Sequence, residues 1–125
     1  MVNQFLDFIH KENLFLSSDR ILLAVSGGAD SMLMAHLFVS TGFQVAVAHC
    51  NFSLRGKESD KEEQFVSDYC DYHNIAFYSK RFNTSEVALQ EGISIEMAAR
   101  DLRYGWFHEL MKVHRFDYLA TAHHQ

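Results

Sequence analysis

The residues of this 125-residue chain best suited to chemistry fall in four short blocks. The first is Ser26-Gly27-Gly28-Ala29-Asp30-Ser31. It stands between an apolar run, Ile21-Leu22-Leu23-Ala24-Val25, and a segment with helical patterning. Two glycines let a backbone turn tightly and approach a ligand without Cβ obstruction. A helix that starts there aims its free N–H groups, and roughly half a positive charge, at whatever lies in front. Ser26 and Ser31 add hydroxyls. An anion suits such a site, phosphate above all. The plainer alternative is a corner that Gly-Gly merely turns and a helix that Asp30 merely caps. Neither G-x-x-x-x-G-K-[ST] nor G-x-G-x-x-G is present. No lysine lies in the loop, so a polyphosphate there needs a metal ion or a residue from elsewhere. Asp30 is the metal-facing candidate, because Mg²⁺ usually takes one or two carboxylates plus phosphate oxygens.

The second block is His49-Cys50-Asn51, followed by the basic loop residues Arg55 and Lys57. In the third, Glu96, Arg100 and Arg103 are spaced four and three apart and share a helical face. Its plain reading is a surface ion pair between Glu96 and Arg100, worth under about 0.5 kcal/mol. The fourth is His123-His124. Adjacent residues at a strand end point to opposite faces, so these two are not expected to chelate one metal together.

Four strands must position these blocks. Ile21–Val25 and Val45–Ala48 are apolar without polar alternation, as strands of parallel sheets are. Ile75–Tyr78 and Tyr118–Ala122 complete the set. Between them the spacing predicts a helix from Asp30 to about Ser40. A second helix carries Phe65, Val66, Tyr69, Cys70 and His73 on one face, opened by a Ser59-x-x-Glu62 capping box. A brief helix capped by Asn83 or Thr84 ends at Gly92. A long one capped by Ser94 reaches about His114 with the stripe Ile95, Ala98/Ala99, Leu102, Trp106, Leu110 and Val113. A further helix over Val2 to Lys11 precedes the set. The alternation predicts an α/β fold, an open parallel sheet with helices on both faces. Such sheets bind ligands beyond the carboxyl ends of their strands, where Ser26–Gly28, His49–Asn51 and His123–His124 fall. Ending directly after a buried strand, residues 1–125 read as one N-terminal domain, incomplete at its C-terminal end.

Composition excludes several classes. Hydrophobic residues at 48% and charged residues at 22% are ordinary for a globular domain, which excludes disorder. A net charge of −5 argues against a globally basic nucleic-acid binder, though not against a local basic patch. Cys50 and Cys70 form no CxxC pair, so neither a disulfide framework nor a cysteine-rich metal site is expected. No apolar run approaches the roughly 18 residues of a membrane span. MVNQFLDFIHKEN lacks the layout of a signal peptide. A cytoplasmic protein with no membrane contact is expected.

Ser-Gly-Gly-x-Asp-Ser after a first parallel strand resembles the pyrophosphate loop of the N-type ATP pyrophosphatases. The segment from Ala48 to Ser59 is similar to the "H-x-N/D-H-x-L-R-x-x-S" block of the tRNA(Ile)-lysidine synthetases. Glu96, Ala99, Arg100, Arg103 and Tyr104 resemble that family's "E-x-x-A-R-x-x-R-Y" helix, and Asp117–His124 its "D-x-[IL]-x-T-A-H-H" strand. The second histidine common in the family is replaced here by Phe52 or Ser53. The resemblance implies a Rossmann-like, adenine nucleotide alpha hydrolase-like sheet with ATP and Mg²⁺ as cofactors. It implies tRNA(Ile) with a CAU anticodon and free lysine as substrates, and adenylation of the wobble cytidine followed by lysine attack. Ser26, Gly27, Gly28, Ala29, Asp30 and Ser31 would bind ATP. Asp30, Arg100 and His123 would serve catalysis. His49, Arg55, Arg103 and His124 would contact ATP or tRNA. Which arginine and which of the paired histidines reaches the α-phosphate stays open. The alternatives are another enzyme with this loop, such as a tRNA cytidine thiolase or an NAD synthetase, and a non-catalytic adenine-nucleotide-binding module.

Overall fold

A computed structural model describes residues 18–122. The predicted helix over residues 2–11 and the histidines His123 and His124 lie outside these residues. The elements are β1 (Arg20–Ala24), α1 (Ala29–Ser40), β2 (Gln44–Asn51), α2 (Lys57–Tyr72), β3 (Ala76–Arg81), α3 (Thr84–Glu91), α4 (Ile95–His114) and β4 (Tyr118–Thr121). The four strands make one parallel sheet in the order β3-β2-β1-β4.

The apolar run of β1 explains the layering. Ile21, Leu22 and Leu23 are completely buried, because each face of the strand is covered. With a side-chain period of two, Ile21, Leu23 and Val25 pack with Ala35 and Phe38 of α1 and with Val66 and Cys70 of α2. Leu22 points the other way, to Ala46, Ala48, Trp106, Phe107 and Leu110. Each such fully buried aliphatic side chain contributes about 1.5–3 kcal/mol. Helices thus lie on both faces, as the alternation predicts.

Several local expectations change. The sequence ends the second strand at His49-Cys50, but pairing with β3 continues to Asn51↔Arg81. Backbone hydrogen bonding, not apolar content, sets those ends. The Ser59–Glu62 capping box does not form. Helix α2 starts at Lys57 with Gly56 as its uncapped N-cap, and Ser59 Oγ accepts from Arg55 N at 3.2 Å. Phe65 is half exposed, as are Ile95 and Val113 at the ends of the α4 stripe. Phe107, outside that stripe, is 1% exposed. Helix α4 is therefore rotated toward Phe107, which seats against β1 and β2. Its predicted cap holds: Ser94 Oγ accepts from Met97 N at 3.1 Å.

Candidate functional site

Beyond β1, Val25 still donates to Ala48 O at 3.0 Å, and the chain then turns out of the sheet. Gly27 makes that turn with φ +98°, a conformation closed to L-residues. Gly28, at φ −75° and ψ 166°, is the N-cap of α1. No side chain caps this helix, and Asp30 sits inside its first turn. The corner-and-cap alternative therefore loses its cap. The loop is held by its own hydroxyls. Ser31 Oγ accepts from Ser26 N at 3.1 Å and from Gly27 N at 3.3 Å, and donates to Gly28 O at 3.1 Å. Ser26 Oγ accepts from Gly28 N at 3.2 Å and lies 3.1 Å from Ser31 Oγ.

The loop opens onto a central cavity of about 190 Å³ at the carboxyl ends of β1, β2 and β4. Ser26 and Ser31 form one wall, Cys50 and Phe52 another, and Arg103 and Tyr104 of α4 the third. Arg103 carries the cavity's electrostatics. Its Nε is buried without a hydrogen-bond partner, and it makes no ion pair among the described residues. Its guanidinium lies 5.0 Å from the Tyr104 ring centroid, which fixes its direction. A cation left unneutralised beside an uncapped helix N-terminus is complementary to an anion such as phosphate. Arg100 is exposed, lies 5.4 Å from the same ring, and does not line the cavity. The surface pair expected between Glu96 and Arg100 is absent among the described residues.

His49 is 2% exposed and turned to the other face of the sheet. Its Nδ1 lies 2.8 Å from Val25 O. A carbonyl only accepts, so Nδ1 carries the proton and donates. The ring thus ties the end of β2 to the residue that precedes the loop. It lines a smaller cavity of about 90 Å³ with Asn51, Arg55, Ser59 and Glu62. Arg55 of the basic loop pairs with Glu62. Glu62 sits directly behind the glycine turn, its Cβ 3.5 Å from where a Cβ on Gly27 would stand.

Two residues of the second block make contacts that sequence patterning did not assign. Asn51 is 1% exposed; its Nδ2 donates to Asp60 Oδ1 at 3.0 Å and Glu63 Oε1 at 2.9 Å, and its Oδ1 accepts from Ser53 N at 3.0 Å. With Thr84 Oγ1 donating to Phe52 O at 2.8 Å, this fastens the segment that presents Phe52 to the central cavity. The only sequence signal for Asn51 is a polar side chain at the end of an apolar strand. Cys50 lines both cavities. Burial pushes its thiol up to about 12, outweighing the lowering effect of Arg103. A thiol held protonated is no nucleophile.

No cluster of three or more metal-ligating side chains exists among the described residues. Asp30 instead lines an outer cavity of about 260 Å³ with Ser26, Gly28, Ala29 and Ala122. One carboxylate beside an anion-binding helix terminus fits Mg²⁺ that takes most of its ligands from phosphate and water. It does not fit a metal caged by protein alone. No helix among the described residues is long and apolar enough to cross a membrane.

A protein-family profile described as a PP-loop domain matches residues 1–125. The tRNA(Ile)-lysidine synthase of Bacteroides thetaiotaomicron is 46% identical over 118 residues, covering 94% of this chain and 28% of that protein. The tRNA(Ile)-lysidine synthase of Chlorobaculum tepidum is 45% identical over 125 residues, 97% of this chain and 38% of its own. That of Bacillus subtilis is 38% identical over 121 residues, 94% and 26%. The chain thus spans between a quarter and two-fifths of the length of these relatives. Among solved structures, an NH3-dependent NAD synthetase from Campylobacter jejuni superposes with a TM-score of 0.66 at 17% identity, over 90% of this chain and 51% of that one. At that identity the likeness is one of fold, and it agrees with the parallel α/β sheet found here.

Proposed function

The chain belongs to the PP-loop domain family, and from that premise we propose that it is the nucleotide-binding part of a tRNA(Ile)-lysidine synthase. The relatives that match along nearly the whole chain carry that name. The reaction is ATP-dependent adenylation of the C2 oxygen of the wobble cytidine in tRNA(Ile) with a CAU anticodon. The ε-amine of free lysine then displaces AMP, giving lysidine. The observation that carries this reading is the convergence of an uncapped helix N-terminus, a glycine turn and an arginine with a buried, unpaired Nε on one cavity.

The residues divide the work as follows. The N-terminus of α1 and the Ser26 hydroxyl hold the β and γ phosphates, the pair that leaves as pyrophosphate. Arg103 faces the α-phosphate across the cavity and offsets the charge that builds there during transfer. Arg100, exposed one turn earlier on α4, contacts the tRNA backbone. His123, which follows β4 in sequence, serves catalysis, and His124 contacts ATP or tRNA. Cys50 and Phe52 give adenine a largely apolar wall. His49 keeps the ends of β1 and β2 in register beneath the loop. Asp30 would hold Mg²⁺, which when bound would supply charge neutralisation for the pyrophosphate. Arg55, released from Glu62, is placed to meet the triphosphate or the tRNA. A tRNA thiolase is the weaker reading, because Cys50 is the one cysteine in the cavity and its thiol stays protonated, while Cys70 is fully buried beneath the opposite face.

The test is AMP release by the full-length protein with tRNA(Ile), lysine and ATP, omitting each in turn. AMP release that needs both tRNA(Ile) and lysine is expected. Release driven by ammonia or a sulfur donor, with lysine inert, would overturn the assignment.

A further inference from the structure

The buried Asn51 amide sits between two acids of α2 and the corner that follows β2. Its orientation is forced. Ionised Asp60 and Glu63 only accept and Ser53 N only donates, so Nδ2 must face the acids and Oδ1 the corner. Both of its N–H donors are used. Arg81 donates to Asp60 Oδ1 at 2.9 Å and offsets that charge, while Glu63 makes no ion pair among the described residues. The corner itself is strained. Ser53 has φ +58°, which a residue with a Cβ keeps only where its surroundings impose it. The bond from Ser53 N to Asn51 Oδ1 is one such restraint. Phe52, between the two, is aimed as a result. Its carbonyl accepts from the fully buried Thr84 Oγ1, and its ring stacks on Phe82 with centroids 5.8 Å apart and planes 23° apart. Phe82 is itself held edge-on against Trp106. The Phe52 ring is thus backed from behind and lines the central cavity.

We infer that Asn51 is a positioning residue for nucleobase recognition: by holding the Ser53 corner it fixes Phe52 as the base-facing wall, and it adds to the binding of a purine nucleotide without adding to the binding of its phosphates. This rests on the proposed reading for the presence of adenine at that wall. An aromatic ring offers a planar base a face to stack on and offers phosphate nothing. With the wall set before the nucleotide arrives, less ordering remains for binding to impose. An aspartate at position 51 would keep the shape and the acceptor for Ser53 N. It would lose the donor and set a third carboxylate against Asp60 and Glu63.

The experiment titrates the full-length protein in the calorimeter with ATP and, separately, with inorganic pyrophosphate, Mg²⁺ being present in both. Asn51→Ala and Phe52→Ala are each expected to weaken ATP about tenfold, the loss of one base-stacking contact, and to leave pyrophosphate within about twofold of wild type. The double alanine variant binds ATP no more weakly than Phe52→Ala, because Asn51 acts through that ring; such non-additivity marks coupled residues. Asn51→Asp behaves like Asn51→Ala. Adding Glu63→Gln to Asn51→Asp returns a donor from the other side of the contact, with Asp60 still offset by Arg81, and recovers most of the lost ATP affinity. If Asn51→Ala does not fold, Asn51→Asp and its Glu63→Gln partner decide in its place. Equal losses for ATP and pyrophosphate would mark Asn51 as a support of the fold alone and overturn the inference. Additive losses in the double alanine variant would overturn it as well. A wild type that binds neither ligand would remove the functional reading together with the inference, whereas equal losses from a wild type that binds both would remove the inference and leave that reading standing.

Discussion

Gly27 and Gly28 are neighbours in a symmetrical-looking pair, and replacing each by alanine should have different consequences. At Gly27 the backbone has φ +98°. An L-residue held in a sparsely populated region costs about 1–3 kcal/mol. An added Cβ there would meet Glu62 Cβ and Val66 Cγ2 at 3.5 Å, ordinary contact and no clash. Burying that one methyl offsets up to about 0.8 kcal/mol. Gly27→Ala should therefore destabilise the domain by about 1–2 kcal/mol and weaken ATP binding through the distorted turn. At Gly28, φ −75° suits any residue, and an added Cβ meets only Ser26 Oγ at 3.5 Å. Alanine lowers the entropy of the unfolded chain by about 0.4–1 kcal/mol but caps a helix less well than glycine. These effects nearly cancel, so Gly28→Ala should stay within about 0.5 kcal/mol of the wild type. Its methyl stands where the phosphate must approach, so affinity falls while stability holds. Thermal melts of the full-length variants report stability, and calorimetric titration reports ATP affinity. If Gly28→Ala melts as early as Gly27→Ala, the assignment of the turn to Gly27 is wrong.

Further variants separate the other roles. Gly28→Val should weaken ATP binding at least about tenfold, or about 1.4 kcal/mol, with an unchanged melt; unchanged affinity in the calorimeter would contradict this. Asp30→Asn should fold normally, since Gly28 and not Asp30 is the N-cap, yet lose at least about 100-fold in tRNA- and lysine-dependent AMP release, about 2.7 kcal/mol of transition-state stabilisation. Near-normal turnover at saturating Mg²⁺ would move the metal elsewhere. Arg103→Ala should lose at least about tenfold in ATP affinity with Arg100→Ala close to wild type in that assay, and the reverse order would show that α4 is rotated differently. Cys50 should resist iodoacetamide at pH 8.5 until the protein is unfolded, because its thiol is raised from 9.0 to about 12. By linkage the folded state keeps a proton that the unfolded chain releases, so this group's contribution to stability is complete below pH 9.0 and declines as pH rises toward about 12.

The alternation of apolar runs with helical segments was legible in residues alone, because burial on both faces leaves no polar positions from Ile21 to Ala24 and because helix stripes repeat at their own period. So was the turn between β1 and α1, since its signal is local: two glycines and two serines between a strand and a helix. The Ser94 cap and the Gly92 stop are local in the same way. What the sequence could not separate was Arg100 from Arg103. They are three residues apart on one helix, and the choice depends on how α4 is rotated, which Trp106, Phe107 and Leu110 set by packing against β1 and β2. His49 likewise reads as a ligand candidate at a strand end. Strand register alone decides that it faces α2 and bonds Val25, while its neighbour Cys50 faces Arg103. Asn51 and the Arg55–Glu62 pair join residues that the chain brings together only when α2 packs on the sheet. Local chemistry is written in adjacent residues and can be read there. The direction a side chain takes at the cavity follows from helix rotation and strand register, which exist only once the layers have packed.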